Sequence, residues 1–118
     1  MRVLIADDDK NVGEMLIAFV TACEHEVVDT VRGGGLAVMQ SCTRNKPDVV
    51  LLDIMMPVFN GFTVCQQLLS RDPAVKVILM SGQVEEAYPS VKSCGAIGYL
   101  PKPMAFEQLR VLLAKAAA

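Results

Sequence analysis

At 118 residues the chain has the length of one domain over 1–118, able to bury roughly 65% of its unfolded surface. Its 53% apolar content argues against disorder, and a net charge of −2 with scattered basic residues offers no footprint for nucleic acid or an anionic membrane. No apolar run nears the ~20 residues of a membrane span, and "MRVLIADDD" passes from a short apolar run straight into acids, unlike a secretory signal; the expected location is cytoplasmic.

Short, β-branched apolar runs mark five strands in chain order: Val3–Ala6, Glu26–Val31, Val49–Leu52, Val75–Met80 and Ile97–Leu100. The first, third and fourth are nearly continuous rather than alternating, as in parallel strands covered on both faces. Helical stripes lie between them. Val12, Met15, Leu16, Phe19 and Val20 follow the i, i+3, i+4, i+7, i+8 pattern. Leu36, Met39 and Cys42 form a weaker stripe, preceded by "RGGG" at 32–35, which predicts a loosely held helix start. Phe62, Cys65, Leu68 and Leu69 form the third. A fourth helix is expected between Val84 and Cys94, short or late-starting because Pro89 lies inside it. Phe106, Leu109, Leu112 and Leu113 form the last stripe, running into an alanine-rich tail that fits either a helix end or a cut point.

Five β-α repeats predict a three-layer, doubly wound (βα)5 fold, with a parallel sheet between two helix layers. Cys23, Cys42, Cys65 and Cys94 are widely spaced without a CxxC pair, which fits reduced, mostly buried thiols. His25 stands alone and reads as a surface loop residue.

The chemistry gathers at the strand ends. Asp7, Asp8 and Asp9 follow the first strand, Asp53 ends the third, Ser81 follows the fourth and Lys102 the fifth. Parallel topology brings these ends to one edge, where open α/β sheets bind ligands. Acids after a strand often only cap the next helix, but four polar sets at four strand ends exceed that explanation. Crowded carboxylates raise one another's pKa, and a hard divalent cation such as Mg²⁺ relieves the repulsion while leaving positions for phosphate oxygens. Lys102 adds a point charge suited to a phosphoryl group, Ser81 adds a hydroxyl donor, and a carboxylate can serve as nucleophile toward phosphorus. No Walker loop is present.

The motifs "LIADDD" at 4–9, "DVVLLDIMMPVFNG" at 48–61, "VILMSG" at 77–82 and "GAIGYLPKP" at 95–103 together resemble the receiver domain of two-component response regulators, over essentially the whole chain. The resemblance implies a flavodoxin-like sheet of order 2-1-3-4-5. It implies that Asp53 accepts the phosphoryl group, that Asp7, Asp8 and Asp53 hold Mg²⁺ with the backbone carbonyl of Met55, and that Lys102 and Ser81 contact the phosphoryl group. Ser81 and Tyr99 become switch residues, and the Lys102–Pro103 bond is expected to be cis. The implied partners are a histidine kinase or histidine phosphotransfer protein as donor and an output partner or effector domain, with no direct nucleic-acid contact by this domain. A stand-alone receiver and an excised N-terminal domain both fit.

Two features depart from the family pattern: the 13 residues between Ser81 and Gly95 are slightly few, and "GGG" at 33–35 is unusual. Phe59 is a candidate partner contact, and Glu85 and Glu86 read as a solvated face. Asp9 reads as a helix-start residue rather than a metal ligand. Two other classes share some of these parts: a Mg²⁺-dependent phosphatase with an aspartyl-phosphate intermediate, and a flavin module, for which Ser/Thr-rich phosphate loops are missing after the first strand.

Overall fold

A computed structural model describes residues 1–55, 60–82 and 94–118. Five strands, β1 (Arg2–Ala6), β2 (Glu26–Val31), β3 (Val49–Asp53), β4 (Lys76–Ser81) and β5 (Gly98–Pro101), form one parallel sheet of order β2-β1-β3-β4-β5. Four helices are described: α1 (Lys10–Ala22), α2 (Gly35–Asn45), α3 (Gly61–Arg71) and α4 (Phe106–Ala117). The helix expected between Val84 and Cys94, with Pro89, Glu85 and Glu86, and the Phe59 contact lie outside the described residues.

The continuous apolar strands serve two cores at once, because successive side chains point to opposite faces. Leu4, Ala6, Val50, Leu52, Val77 and Leu79 pack with Val38 and Met39 of α2 and Val64, Cys65 and Leu68 of α3. Val3, Ile5, Val49, Leu51, Ile78 and Met80 pack on the opposite face with Leu16 and Val20 of α1 and Leu109 and Leu113 of α4. Fully burying each Leu or Ile contributes about 1.5–3 kcal/mol. Phe19 and Phe106 join α1 to α4 edge to face, with ring centroids 5.1 Å apart.

The helix starts follow local chemistry. The Asp9 carboxylate accepts the Asn11 and Val12 N–H groups as the cap of α1, and the Asn60 side chain accepts Phe62 N–H at α3. Gly34 precedes α2 at φ 98° with no side-chain cap, which is the loosely held start that the glycine run predicts.

One sequence expectation needs correction. Leu36 does not belong to the buried stripe of α2; it is 74% exposed, and the helix instead buries Val38, Met39 and Ser41. Three apolar positions were too few to fix the helix phase. His25 lies in a loop, as expected, but is half-buried there, with Nδ1 2.9 Å from the Met1 amino nitrogen.

Candidate functional site

The carboxyl ends of β1, β3, β4 and β5 meet at one edge, and parallel register is the reason. Ala6 pairs with Leu52, Asp53 with Met80, and Ser81 with Pro101. Residues one or two steps beyond these ends therefore share one small volume. Asp7, Asp53 and Ser81 are each 2% exposed there.

Each buried carboxylate is oriented by the backbone that follows it. Asp7 Oδ1 accepts the Asp9 N–H at 2.9 Å, and Asp53 Oδ1 accepts the Met55 N–H at 3.0 Å. The second oxygen of each faces Lys102. Nζ donates to Asp53 Oδ2 at 3.0 Å and lies 2.9 Å from Asp7 Oδ2. The contact to Asp7 has ion-pair distance but lacks hydrogen-bond alignment, so Asp7 Oδ2 is a buried oxygen without an aligned donor.

The electrostatics follow. Burial raises the Asp7 carboxyl above its ordinary range, and the Asp53 charge adds to this; Lys102 and the Asp9 N–H oppose it without prevailing. Burial alone would lower the Lys102 ammonium, but its close interactions with the Asp7 and Asp53 carboxylates outweigh that and raise it. Lys102 therefore holds its proton, while burial works against the charged form of Asp7.

Asp7, Asp8 and Asp53 each offer an oxygen within 4.8 Å of the others; Asp8 is exposed and the other two buried. Three carboxylates against one ammonium leave an excess of negative charge when all are ionised. Hard oxygen donors, that excess and the unaligned Asp7 oxygen all fit a hard divalent cation such as Mg²⁺.

Asp9 separates from its neighbours: its carboxylate is spent on the α1 cap and its N–H on Asp7. The Met55 side chain is 62% exposed, and its backbone N–H is tied to Asp53. Tyr99 is half-buried and its hydroxyl donates to the Ser81 carbonyl at 3.0 Å; the same oxygen accepts the Lys102 N–H at 2.9 Å. The Lys102–Pro103 peptide is cis.

Residue types alone did not reveal how Gly61 supports the site. A Cβ there would lie 2.7 Å from Ile54 Cα and 3.0 Å from the Asp53 carbonyl oxygen. The start of α3 thus abuts the backbone of Asp53 so closely that only glycine fits. Its available signal was a glycine opening a helix soon after the strand-end acid.

The sequence model for the response regulator receiver domain matches residues 3–114. Response regulator MprA of Mycobacterium leprae is 33% identical over 111 residues, covering 92% of this chain and 47% of that protein. The DNA-binding dual master transcriptional regulator RpaA of Synechocystis is 33% identical over 115 residues, covering 92% and 45%. The chain thus spans about half the length of the curated relatives it matches. Among solved structures, response regulator protein TrrA of Thermotoga maritima, in complex with Mg²⁺-BeF, matches with a TM-score of 0.88 at 26% identity, covering 98% of this chain and 97% of that one. These matches support the signalling reading and give the phosphatase alternative no support. With the strand order, the strand-end acids and the family match in agreement, this chain belongs to the response regulator receiver domains, the phospho-accepting domains of two-component signalling.

Proposed function

We propose that Asp53 is the phosphoryl acceptor of a single receiver domain over residues 1–118 working in the cytoplasm. A histidine kinase or histidine phosphotransfer protein donates the group. The carrying observation is the Lys102 ammonium shared between Asp7 and Asp53, beside the exposed Asp8. It supports an acceptor with one oxygen held by backbone and the other facing a cation.

In the transfer, an Asp53 oxygen attacks phosphorus, the bond between phosphorus and the donor imidazole nitrogen breaks, and the imidazole leaves with the electron pair. Lys102 shifts its ammonium from the two carboxylates to the arriving phosphoryl oxygens, and the Ser81 hydroxyl donates to another of them. Mg²⁺, held by Asp7, Asp8, Asp53 and the Met55 carbonyl, supplies charge neutralisation when bound. Displacement of Ser81 disturbs the carbonyl to which Tyr99 donates, so Tyr99 changes position with it. The readout is altered affinity for an output partner or effector domain, without nucleic-acid contact by this domain. The chain assists its own phosphorylation and dephosphorylation but is a signalling domain rather than an enzyme with a separate substrate.

The test is incubation with Mg²⁺ and a small acyl phosphate, followed by intact mass. One phosphoryl adduct on the wild type and none on Asp53→Asn is the expected result. No adduct on the wild type, or an unchanged adduct on Asp53→Asn, overturns the assignment. Release of many equivalents of phosphate from a small ester would favour a phosphatase instead.

A further inference from the structure

Two thiols lie together away from the carboxylate cluster. Cys65 is on the buried face of α3 at 0% exposure, and Cys94, at 5%, stands before β5. Cys65 Sγ donates to the Cys94 carbonyl at 3.6 Å, and the two thiols are also within hydrogen-bonding reach of each other. The Leu69 side chain of α3 also packs against the backbone beside Cys94. A Cβ on Gly95 would lie 2.8 Å from Leu69 Cδ1, one helical turn along α3 from Cys65.

We propose that Cys65 and Cys94 are a redox-active pair that closes to an intramolecular disulfide with a hydroperoxide and reopens with a thiol reductant. Cys94 is the first to react, because it is the one with residual exposure, whereas Cys65 has none. Burial, then the Cys94 charge and hydrogen bond, push the Cys65 thiol up to about 12, so it is the weaker nucleophile and does not start the reaction; it acts only once a sulfenic sulfur stands beside it, losing its proton as it attacks. The Cys94 sulfur attacks a peroxide oxygen, the O–O bond breaks, and a sulfenic acid and one water result when hydrogen peroxide is the oxidant. The Cys65 sulfur then attacks the sulfenic sulfur; the S–S bond forms, the S–O bond breaks, and the oxygen leaves as a second water with the Cys65 proton. Two thiols lose two electrons and two protons, and one peroxide becomes two waters.

The bridge has a functional consequence. α3 begins at Gly61 against the Asp53 carbonyl, and β5 carries Tyr99 and leads to Lys102. A Cys65–Cys94 bond therefore ties the helix behind the strand-end carboxylate to the strand that delivers the cation. It also closes a segment whose ends are 29 residues apart in sequence, which constrains the unfolded chain.

The full chain is treated with hydrogen peroxide, denatured, alkylated and mapped by peptide mass. The expected product is monomeric, has lost two hydrogens, keeps Cys23 and Cys42 alkylated, and yields a Cys65–Cys94 cross-linked peptide that a thiol reductant removes. Cys65→Ser should stop at a sulfenic acid on Cys94, trapped by dimedone. Should that variant fold poorly, the wild-type map decides alone. Four alkylatable thiols after oxidation, or cross-links only through Cys23 or Cys42, overturn the proposal.

Discussion

Asp7 and Asp53 are held in the same way. Each gives one carboxylate oxygen to the backbone N–H two residues downstream, and each turns the other oxygen toward the single ammonium of Lys102. Two acids 46 positions apart in sequence are thus orientated by their own local turns and joined by one cation from a third strand end. The symmetry is incomplete, because the contact to Asp53 is an aligned hydrogen bond and that to Asp7 is not.

That difference makes Asp7 the costlier carboxylate to keep ionised without metal. Burial disfavours its charged form, and its unaligned oxygen receives only part of the compensation. Asp7→Asn removes the charge at nearly constant volume. In chelator at neutral pH the variant should unfold at higher urea concentration than the wild type, with an unchanged dependence of stability on denaturant. A lower midpoint would show that the pairing with Lys102 outweighs burial.

Metal provides the converse result. A ligand that binds only the native state stabilises it by RT ln(1 + [L]/Kd), about 1.4 kcal/mol at tenfold excess over Kd. For a domain of this size that is roughly 4–8 °C in melting temperature. Mg²⁺ should produce such a shift in the wild type and lose it in Asp8→Ala. An unchanged melting temperature at tens of millimolar Mg²⁺ would speak against the acidic cluster as a cation site.

Asp9 should behave differently from its two neighbours. Its carboxylate caps α1 through Asn11 and Val12, so Asp9→Ala should cost about 0.5–2 kcal/mol of stability while the Mg²⁺-dependent shift survives. Loss of the metal response in this variant alone, with Asp8→Ala unaffected, would move the metal pair one residue along the chain.

Gly61→Ala tests whether the close approach of α3 to Asp53 matters for chemistry. The added methyl would sit 2.7 Å from Ile54 Cα and 3.0 Å from the Asp53 carbonyl, so backbone must move. Overpacking of this kind typically costs about 1–3 kcal/mol. The expected outcome is lower stability together with slower acquisition of the phosphoryl adduct in folded protein. Wild-type adduct rates would confine Gly61 to packing.

Tyr99→Phe removes the hydroxyl that donates to the Ser81 carbonyl. Because that oxygen keeps the Lys102 N–H, it is not orphaned, and the loss should be modest, about 0.5–1.5 kcal/mol by denaturant titration. A loss several times larger would mean that the phenol supports packing elsewhere.

Much of this molecule was legible in the chain because its strands announce themselves. "VLIA", "VVLL" and "VKVILM" are apolar on both faces, and that requires helices on both sides of a parallel sheet. The strand ends then collect Asp7, Asp53, Ser81 and Lys102 by topology alone. Periodicity failed where it was thin. In α2, Leu36 matched the spacing but lies in solvent, since a helix phase read from three residues is easily rotated by one position. The single histidine carried no pattern, and its partner is the chain's first amino group.

The sequence by itself determined the parallel α/β architecture, the edge at which the acids meet and the separation of Asp9, as a helix-start residue, from Asp7 and Asp8, because these depend on residue type and spacing along one strand or one helix turn. Only the tertiary structure decided that one ammonium serves two carboxylates, that Asp7 keeps an unaligned oxygen, that Gly61 presses on Asp53, and that Cys65 meets Cys94. Those relationships join residues on different elements, and distances of a few ångströms between elements follow from how the two cores pack, which no local pattern encodes.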